Sequence, residues 1–424
     1  MIFSGMHRLA FWLFAITAAT PLLGADESNN SDSPYEKVEV LARAMQLIRQ
    51  DYVDDKKVSY HDLTYSALRG MLSELDPHSE FMDPNDFKGM QEETKSEFGG
   101  LGIVVTLDDG ALTIVNPMED TPGFEAGIMP GDKILRINNE ATDKLTLSQA
   151  VDLLRGDIGD KVTLTIQRPS TKEIKDYNLT RVTIKMKSVK DAQVLPGPEG
   201  QRIGYVRVTK FTEPTAGELA KALEGLEEKG IDALVLDLRN NPGGLLGSAV
   251  DVCGLFVPPS TRVVYTEGRT PRRDYKTSSL ASKPRTYPLA ILVNYASASG
   301  SEIVAGALRD LNRAILVGET TFGKGSVQSV MALPDGSALR LTTAKYFTPS
   351  GKVIHGNGVS PTIKATLTPE QEYDLWKVRR DEANKGKPPL LDRDLQLARA
   401  VDLLRGELIF AERQQKENAA DKGS

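Results

Sequence analysis

Residues that bind metals or form covalent cross-links are scarce in this sequence. Its 424 residues include one cysteine, Cys253, and four histidines. A single cysteine cannot form an internal disulfide, and zinc sites built from several cysteines are excluded as well. Because His7 falls in the predicted N-terminal targeting segment, any catalytic mechanism must work with little or no imidazole. We expect structural roles for His61, His78 and His355.

An excess of positive charge is also missing. The chain has 52 Lys and Arg residues against 58 Asp and Glu, for a formal net charge of −6. Proteins that bind nucleic acids through phosphate contacts usually carry a strongly basic domain, so this class is not favoured. With 40% hydrophobic and 26% charged residues, the chain can form a core, and its length suggests two or three domains.

No apolar run is long enough to span a bilayer, but a shorter one stands near the N-terminus. Arg8 precedes an apolar run from Leu9 to Ala19, and small residues follow around Leu23-Gly24-Ala25. This order is typical of a secretory signal peptide, and the run is shorter than the roughly 20 residues of a membrane span. We predict that residues 1–25 are a signal peptide cleaved after Ala25, with an uncleaved membrane anchor as the alternative. An exported chain without disulfides suits a bacterial periplasm.

The pattern of apolar and polar residues after residue 25 predicts an α/β multidomain protein. We expect a helical N-terminal region at 26–97, a β domain at 98–185, an α/β domain at 186–367 and a helical tail at 368–424. In the first region, Asp76-Pro77-His78-Ser79 ends a helix. In the third, apolar strands alternate with helices. The strands are expected at Tyr205–Val208, Ala233–Leu238, Leu289–Val293 and Ala314–Val317, and the helices at Ala216–Lys229 and Ser301–Leu311.

Two helical segments, at 35–75 and 390–412, carry apolar stripes. Such a stripe can pair with another subunit or an adaptor protein, or it can pack against the chain's own catalytic domain. The sequence leaves both arrangements open, and with them the question of a homo-oligomer.

The strongest local signal is a serine-rich turn, Asn-Tyr-Ala-Ser-Ala-Ser-Gly-Ser-Glu-Ile, at 294–303. It follows the strand Leu289–Val293 and opens the helix Ser301–Leu311. A serine in such a turn presents its hydroxyl beside free backbone N–H groups, which stabilise the oxyanion formed when a nucleophile attacks. On spacing alone a plain helix cap is favoured.

A lysine flanked by glycines shifts the balance toward catalysis. Lys324 stands between Gly323 and Gly325 at the end of a strand, where the backbone can approach closely and the amine can be drawn inward. Desolvation lowers the pKa of a lysine and makes it a usable general base. Gln328, four residues on, lies on the same side of the chain and can hold the lysine in place. A serine activated by lysine needs no histidine.

The same stretch partly matches a phosphate-binding loop. Gly318 and Gly323-Lys324 have the required spacing, but Gly325 stands where Ser or Thr would hold magnesium. The residues after it alternate like a hairpin, whereas a phosphate loop opens a helix. Nucleotide binding is therefore not favoured.

A third element is the stretch Asp237–Gly244, which ends in Pro-Gly-Gly after an apolar strand. Such a turn exposes backbone N–H groups at the edge of the sheet where α/β proteins bind ligands. Taken alone it is as consistent with a tight turn. Beside a candidate nucleophile, oxyanion-hole donors are the better interpretation.

Five ordered motifs between residues 35 and 365 closely resemble the C-terminal processing peptidases, also called tail-specific proteases. The motifs are Phe98–Ile103, Gly127–Asp132, Asp237–Gly244, Ser297–Ile303 and Gly323–Gln328. The resemblance implies a PDZ domain at 98–185 and a crotonase-like α/β serine protease core at 186–367.

The resemblance also assigns roles to single residues. It implies that Ser299 is the nucleophile, with Ser297 and Ser301 as alternatives, that Lys324 is the general base and that Gln328 orients it. Backbone N–H groups of three glycines would form the oxyanion hole: Gly243, Gly244 and Gly300. The family usually has alanine where this chain has Gly300, so the turn there is expected to be looser.

In the PDZ region, the glycine-rich loop offers N–H groups to a C-terminal carboxylate, and the strand Gly102–Leu107 can pair with an extended peptide. The expected peptide-binding residues are Phe98, Gly99, Gly100, Leu101, Gly102 and Ile103. We therefore expect a periplasmic serine endopeptidase that recognises the free C-termini of envelope proteins and needs no metal or cofactor. An adaptor or activator and a homo-oligomer are the further partners considered, without nucleic acid or nucleotide. A non-catalytic PDZ scaffold is the alternative.

Overall fold

The computed structural model describes residues 34–108, 110–118, 121–169, 171–196, 200–280, 283–375, 391 and 393–421. The signal peptide predicted at 1–25 lies outside these residues. The chain divides into two compact units, Met1–Leu68 and Arg69–Ser424. Within the described residues no helix has the length and apolar character needed to cross a membrane.

The described part of the first unit is helical. Helix α1 spans Pro34–Asp51, a 3-10 turn spans Asp55–Lys57, and helix α2, Tyr60–Ser73, begins in this unit. No residue of α1 is buried.

In the second unit, the end of α2 is followed by a short strand and a capped helix. Strand β1 spans Glu80–Met82, and helix α3 spans Pro84–Lys95. The Asp83 side chain accepts hydrogen bonds from the N–H groups of Asn85 and Asp86, and Pro84 begins the helix, so both start signals of a helix are present. Strand β1 was not expected from the helical texture of 26–97.

A small β domain follows. Its elements are β2 (Glu97–Gly100), β3 (Ile103–Asp108), β4 (Ala111–Pro117), α4 (Pro122–Glu125), β5 (Lys133–Ile137), β6 (Glu140–Ala141), α5 (Leu147–Leu154), β7 (Lys161–Arg168), β8 (Glu173–Thr180) and β9 (Val182–Lys185). The sheet order is β3-β4-β5-β7-β8, with β6 on β5, while β2 pairs with β9. Strand β3 is therefore an edge strand, and α5 lies beside it. Ile114, Ile137 and Leu164 are at the centre of its core.

The α/β domain contains the remaining elements. They are β10 (Val189–Pro196), β11 (Arg202–Val208), α6 (Thr215–Glu227), β12 (Ala233–Asp237), α7 (Leu246–Gly254), β13 (Arg262–Gly268), β14 (Arg273–Lys276), β15 (Leu289–Val293), α8 (Gly300–Asp310), β16 (Ile315–Gly318), β17 (Ser326–Ala332), β18 (Ala338–Phe347), β19 (Ile363–Lys364), α9 at 369–375 and α10 (Leu395–Asp421). The strands and helices expected in this region lie at the predicted places, within a few residues at their ends.

One sheet of this domain has the order β10-β11-β12-β15-β16-β19 and is parallel from β11 onward. Helices α6, α7 and α8 bury their apolar side chains on one face. Helix α10 covers the other face with a stripe of Leu397, Ala400, Val401 and Leu404. The apolar stripe predicted at 390–412 thus packs against its own domain. All residues of β12 and β15 are buried, so β15 reads as a continuous apolar run in the sequence, and β12 does so up to Leu236, before its buried Asp237.

A second sheet has the order β1-β18-β13-β14, with β17 paired to β18. Strands β17 and β18 form the hairpin expected around the Pro-Asp-Gly turn, so no helix follows Lys324. Strand β1 adds to its edge, with Phe81 opposite Leu339. Phe81 and Met82 are buried there, which explains why this short segment is extended after the helix break at Asp76-Pro77.

Candidate active site

Three loops meet at one edge of the parallel sheet. They follow strands β12, β15 and β16, whose carboxyl ends lie side by side in register. The first holds the Pro-Gly-Gly turn, the second the serine-rich turn, and the third Lys324. In open α/β sheets this edge is where ligands bind. The topology thus brings together the three motifs that the sequence separates by up to 80 residues or so.

The three serines of the serine-rich turn lie in different environments. The hydroxyl of Ser297 donates to the carbonyl of Leu238 at 2.8 Å, and that of Ser301 donates to the carbonyl of Asn241 at 2.9 Å. Both serines are fully buried. Ser299 keeps partial exposure and has φ 51° and ψ −111°, an unusual conformation for a residue with a side chain. The turn therefore presents Ser299 and uses the other two for structure.

Glu302 ties the nucleophile turn to the lysine loop. Its buried carboxylate accepts the backbone N–H groups of Ser299 at 2.8 Å, Gly323 at 2.7 Å and Lys324 at 2.8 Å, and the hydroxyl of Thr321. Burial raises the pKa of Glu302, and these hydrogen bonds oppose the rise. This residue was missed as a site residue. The capping-box spacing of Ser299 and Glu302 is the signal that would have found it.

Lys324 is half-buried, and its loop packs closely against its neighbours. A Cβ at position 325 would lie 2.1 Å from the backbone nitrogen of His355, so only glycine fits there. Burial of the amine, and next the charge of Arg340, lower the pKa of Lys324, while Glu80 and Asp76 work in the opposite direction. The direction suits a general base, which needs a neutral amine.

We expect the pH dependence of cleavage to follow this charge pattern. Activity should rise with pH as Lys324 loses its proton. Arg340→Gln should move this rise to higher pH, because a nearby positive charge is lost, and Glu80→Gln should move it to lower pH. The measurement is kcat/KM for a peptide across pH, with unfolding curves at each pH. The assignment is contradicted if both variants shift the profile in the same direction.

Gln328 faces two hydroxyl groups. Its amide nitrogen donates to Ser326 Oγ at 2.9 Å and to Thr342 Oγ1 at 3.4 Å. In the described part of the chain its amide makes no hydrogen bond to Lys324. Its orienting role stays a prediction.

The three predicted oxyanion donors differ in whether their backbone N–H groups are already hydrogen-bonded. The N–H of Gly243 donates to Asn241 Oδ1 at 2.8 Å and is therefore occupied. Among the described residues, the N–H groups of Gly244 and Gly300 have no hydrogen-bond acceptor. A Cβ at position 300 would lie 3.5 Å from the nitrogen of Gly244, so the two donors are close together. The N–H groups of Gly244 and Gly300 therefore remain as the predicted donors of the oxyanion hole.

The glycines near the nucleophile have different steric requirements. A Cβ on Gly243 would lie 2.7 Å from the Cβ of Ser299, and one on Gly244 would lie 2.0 Å from the carbonyl oxygen of Phe211. Both glycines also have positive φ, at 100° and 141°. A Cβ on Gly300 would meet the Phe211 ring at 3.1 Å, a contact that a small shift relieves. The missing Cβ at Gly300 therefore leaves no large gap beside this ring.

A fully buried ionic cluster lies behind the Pro-Gly-Gly turn. The Arg239 guanidinium binds Asp237 at the end of β12 and Asp394 at the start of α10, both at 2.7 Å. It also donates to Gln396 Oε1 at 3.0 Å, and the Tyr205 hydroxyl donates to Asp237 at 2.8 Å. The cluster connects the C-terminal helix to the turn that carries the oxyanion donors.

The residues predicted to bind a peptide occupy two settings. Phe98, Gly99 and Gly100 are in β2 and pair with β9. In the described chain, the N–H groups of Leu101 and Gly102 have no acceptor, and Ile103 begins the edge strand β3. The loop therefore has free donors beside a free strand edge.

Other reactive groups are few. Among the described residues, no group of three or more His, Cys, Asp or Glu side chains is placed to hold a metal ion. Cys253 is fully buried, and burial raises the pKa of its thiol, which makes it unreactive.

Comparisons with known proteins identify relatives of this chain. Residues 202–365 match the model of peptidase family S41, residues 113–168 match a PDZ domain, and residues 13–86 match the N-terminal domain of the activating protease CtpB. A carboxy-terminal-processing protease of Bartonella bacilliformis is 37% identical, over 96% of this chain and 98% of that protein. This chain belongs to peptidase family S41, as a C-terminal processing serine protease with a PDZ domain.

Further relatives of this S41 protease have the same description. The carboxy-terminal processing protease CtpB of Bacillus subtilis is 37% identical over 82% of this chain and 71% of its own length. The carboxyl-terminal-processing protease of Synechocystis is 37% identical over 84% of this chain and 88% of its own. The family and the α/β multidomain fold predicted from the sequence are confirmed, and so is the prediction of a serine-type peptidase.

Proposed function

We propose that this S41 protease is an endopeptidase that works through a Ser299–Lys324 dyad. The observation that carries the proposal is the Glu302 carboxylate, which binds the backbone N–H of both residues and sets their loops against each other. A rigid link between nucleophile and base is what covalent catalysis requires.

The proposed reaction uses no group outside this chain except water. Neutral Lys324 takes the hydroxyl proton of Ser299 while the serine oxygen bonds to the scissile carbonyl carbon. The N–H groups of Gly244 and Gly300 stabilise the resulting oxyanion. The intermediate collapses with cleavage of the C–N bond, and Lys324 returns its proton to the leaving amine. Water, deprotonated by Lys324, then hydrolyses the acyl-enzyme and restores the Ser299 hydroxyl.

We also propose that the PDZ domain recognises the free C-terminus of the substrate. The free N–H groups of Leu101 and Gly102 are donors suited to a carboxylate, and β3 offers a free edge for an added strand. Helix α5 beside β3 provides the second wall of such a groove.

The test is digestion of an unfolded protein whose C-terminus is either free or amidated. We expect the free tail to be cleaved faster. Gly102→Ala should raise KM for the free-tail substrate several-fold, because Gly102 has φ 69° and a Cβ there would lie 2.2 Å from Thr121. The rate on the amidated substrate should not change.

Gly110→Ala is the matched control, since Gly110 also has positive φ in this domain and nothing lies near its Cβ position. Thermal unfolding of both variants checks the integrity of the domain. Equal rates on free and amidated substrates by the wild-type enzyme would refute tail recognition.

The compartment and the substrates also belong to this proposal. The signal-peptide pattern at 1–25 supports export to the periplasm, where envelope proteins would be the substrates. N-terminal sequencing of the protein from a periplasmic fraction checks this, and the expected first residue is Asp26. A protein that stays in the cytoplasm with residue 1 intact contradicts it.

The exposed apolar side chains of helix α1 favour binding to another protein. Its apolar side chains Val38, Val40 and Leu41 are exposed, with relative exposures of 61%, 68% and 41%. The match of residues 13–86 to the N-terminal domain of an activating protease agrees with such a role. We propose that α1 pairs with a second copy of the chain, and an adaptor is the other candidate. Sedimentation of the purified protein distinguishes them, because a monomer would leave only the adaptor.

A further inference from the structure

The loop that ends helix α2 lies against the hairpin of β17 and β18. In this loop, Asp76 Oδ1 accepts the N–H groups of His78 at 2.8 Å and Ser79 at 3.0 Å, and Asp76 Oδ2 accepts the Ser79 hydroxyl at 2.8 Å. A fourth donor comes from β18, since the hydroxyl of Thr342 lies 3.2 Å from Asp76 Oδ1. The sequence indicated only a helix end here, yet the loop reaches the strand beside the predicted dyad.

The hydroxyl of Thr342 also faces Gln328. A β-bulge between Val327 and Gln328 places Gln328 opposite Thr342, and bulges commonly redirect side chains next to active sites. The Gln328 amide nitrogen is 3.4 Å from Thr342 Oγ1 and 2.9 Å from Ser326 Oγ. Thr342 is therefore the link between Gln328 and Asp76.

The chemistry of the three groups sets the direction of these bonds. Burial works against the charge of Asp76, but hydrogen bonds from Ser79, His78 and Thr342 hold its pKa below the ordinary value. An ionised carboxylate only accepts hydrogen bonds, so the single hydrogen of Thr342 is donated to Asp76. The Thr342 oxygen is then left to accept from Gln328, which must present its NH2 group.

We propose that Asp76 and Thr342 are positioning residues that orient the Gln328 amide, so that its carbonyl oxygen is the group available to Lys324. Both amide hydrogens of Gln328 are then used by Ser326 and Thr342. An acceptor oxygen binds an N–H of Lys324 and leaves the nitrogen lone pair free to take the Ser299 proton. A reversed amide would donate into that lone pair. The inference rests on the proposed Ser299–Lys324 dyad and on the predicted role of Gln328 in orienting Lys324.

The test measures kcat and KM of Thr342→Val, which keeps the shape of the side chain and removes the hydroxyl. We expect kcat to fall about three- to tenfold, the usual range for one hydrogen bond, with KM unchanged. Thr342→Ser should restore kcat to within about twofold of wild type. Thr343→Val is the matched control on the same strand, because its hydroxyl bonds Ser329 instead, and its kcat should not change.

A double-mutant cycle with Gln328→Ala shows whether Thr342 acts through Gln328. If it does, Thr342→Val causes no further loss of kcat in the Gln328→Ala background. The inference is overturned if the loss persists there, if Thr342→Ser is as slow as Thr342→Val, or if Thr342→Val keeps the wild-type kcat.

Ser299→Ala in the same assay separates this inference from the proposed function. If Ser299→Ala is inactive and Thr342→Val is fully active, only the positioning role fails. If Ser299→Ala cleaves like wild type, the dyad fails and the positioning role fails with it.

Discussion

Ser299→Ala should lower kcat for peptide cleavage by at least about 10³-fold while the protein stays folded. The hydroxyl of Ser299 is the one in its turn that is not donated to a buried carbonyl, and the residue is held in an unusual backbone conformation by Glu302. Removing this oxygen removes the bond that forms the acyl-enzyme. The measurement is steady-state cleavage of a peptide, together with labelling by a serine-reactive phosphonate and a thermal unfolding curve.

Ser297→Ala and Ser301→Ala are the matched controls in the same turn. Each removes a buried hydroxyl that bonds a backbone carbonyl. We expect each to lower the free energy of unfolding by about 1–3 kcal/mol, the cost of leaving a buried acceptor unpaired, and to keep both cleavage and labelling. The assignment is wrong if Ser299→Ala is still labelled and still cleaves the peptide. It is also wrong if a stably folded control variant is not labelled and does not cleave the peptide.

Among the proposed substitutions, Asp394→Ala should lower the free energy of unfolding most, by about 3–5 kcal/mol. The change leaves the buried guanidinium of Arg239 with one carboxylate instead of two, and Arg239 and Asp394 are almost completely excluded from solvent. Asp394 also caps helix α10, since its carboxylate accepts the N–H of Leu397 at 3.0 Å. Urea unfolding measures this loss of stability. We also expect kcat to fall, because the cluster supports the turn that contains Gly244, a proposed oxyanion donor.

Asp402→Ala is the control on the same helix. The carboxylate of Asp402 is exposed and pairs with Arg405 one turn away, an arrangement that contributes little to stability. We expect its unfolding free energy to stay within about 0.5 kcal/mol of wild type. A loss for Asp394→Ala that is no greater than for Asp402→Ala would show that the cluster does not stabilise the fold.

The sequence predicted the local parts of this protein well. Runs such as Leu289–Val293 are buried on both faces, so they are apolar throughout and can be recognised as strands without any partner. Ordered motifs gave the family, and several of them contain glycines that close backbone approaches require. Gly325 against His355 and Gly244 against Phe211 are two such cases.

Other features depend on residues that are distant in sequence. Strand β1 was not predicted, since three residues show no periodicity and are extended only because β18 pairs with them. The link between Arg239 and Asp394 joins positions 155 apart. A polar residue in a sequence looks the same whether it is solvated or buried, so this link could not be predicted. The capping-box spacing indicates that Glu302 contacts Ser299, but not that Glu302 also binds the loop of Lys324.

The sequence by itself therefore determined the fold class and the family, and it supplied the candidate residues for the chemistry, because these follow from local periodicity and from glycines in fixed motifs. The tertiary structure alone decided how these residues are supported. It selected Gly244 and Gly300 over Gly243 as free donors, placed helix α10 on its own sheet, and joined Ser299 to Lys324 through Glu302. The physical reason is that a hydrogen bond between distant segments exists only once folding has brought donor and acceptor together.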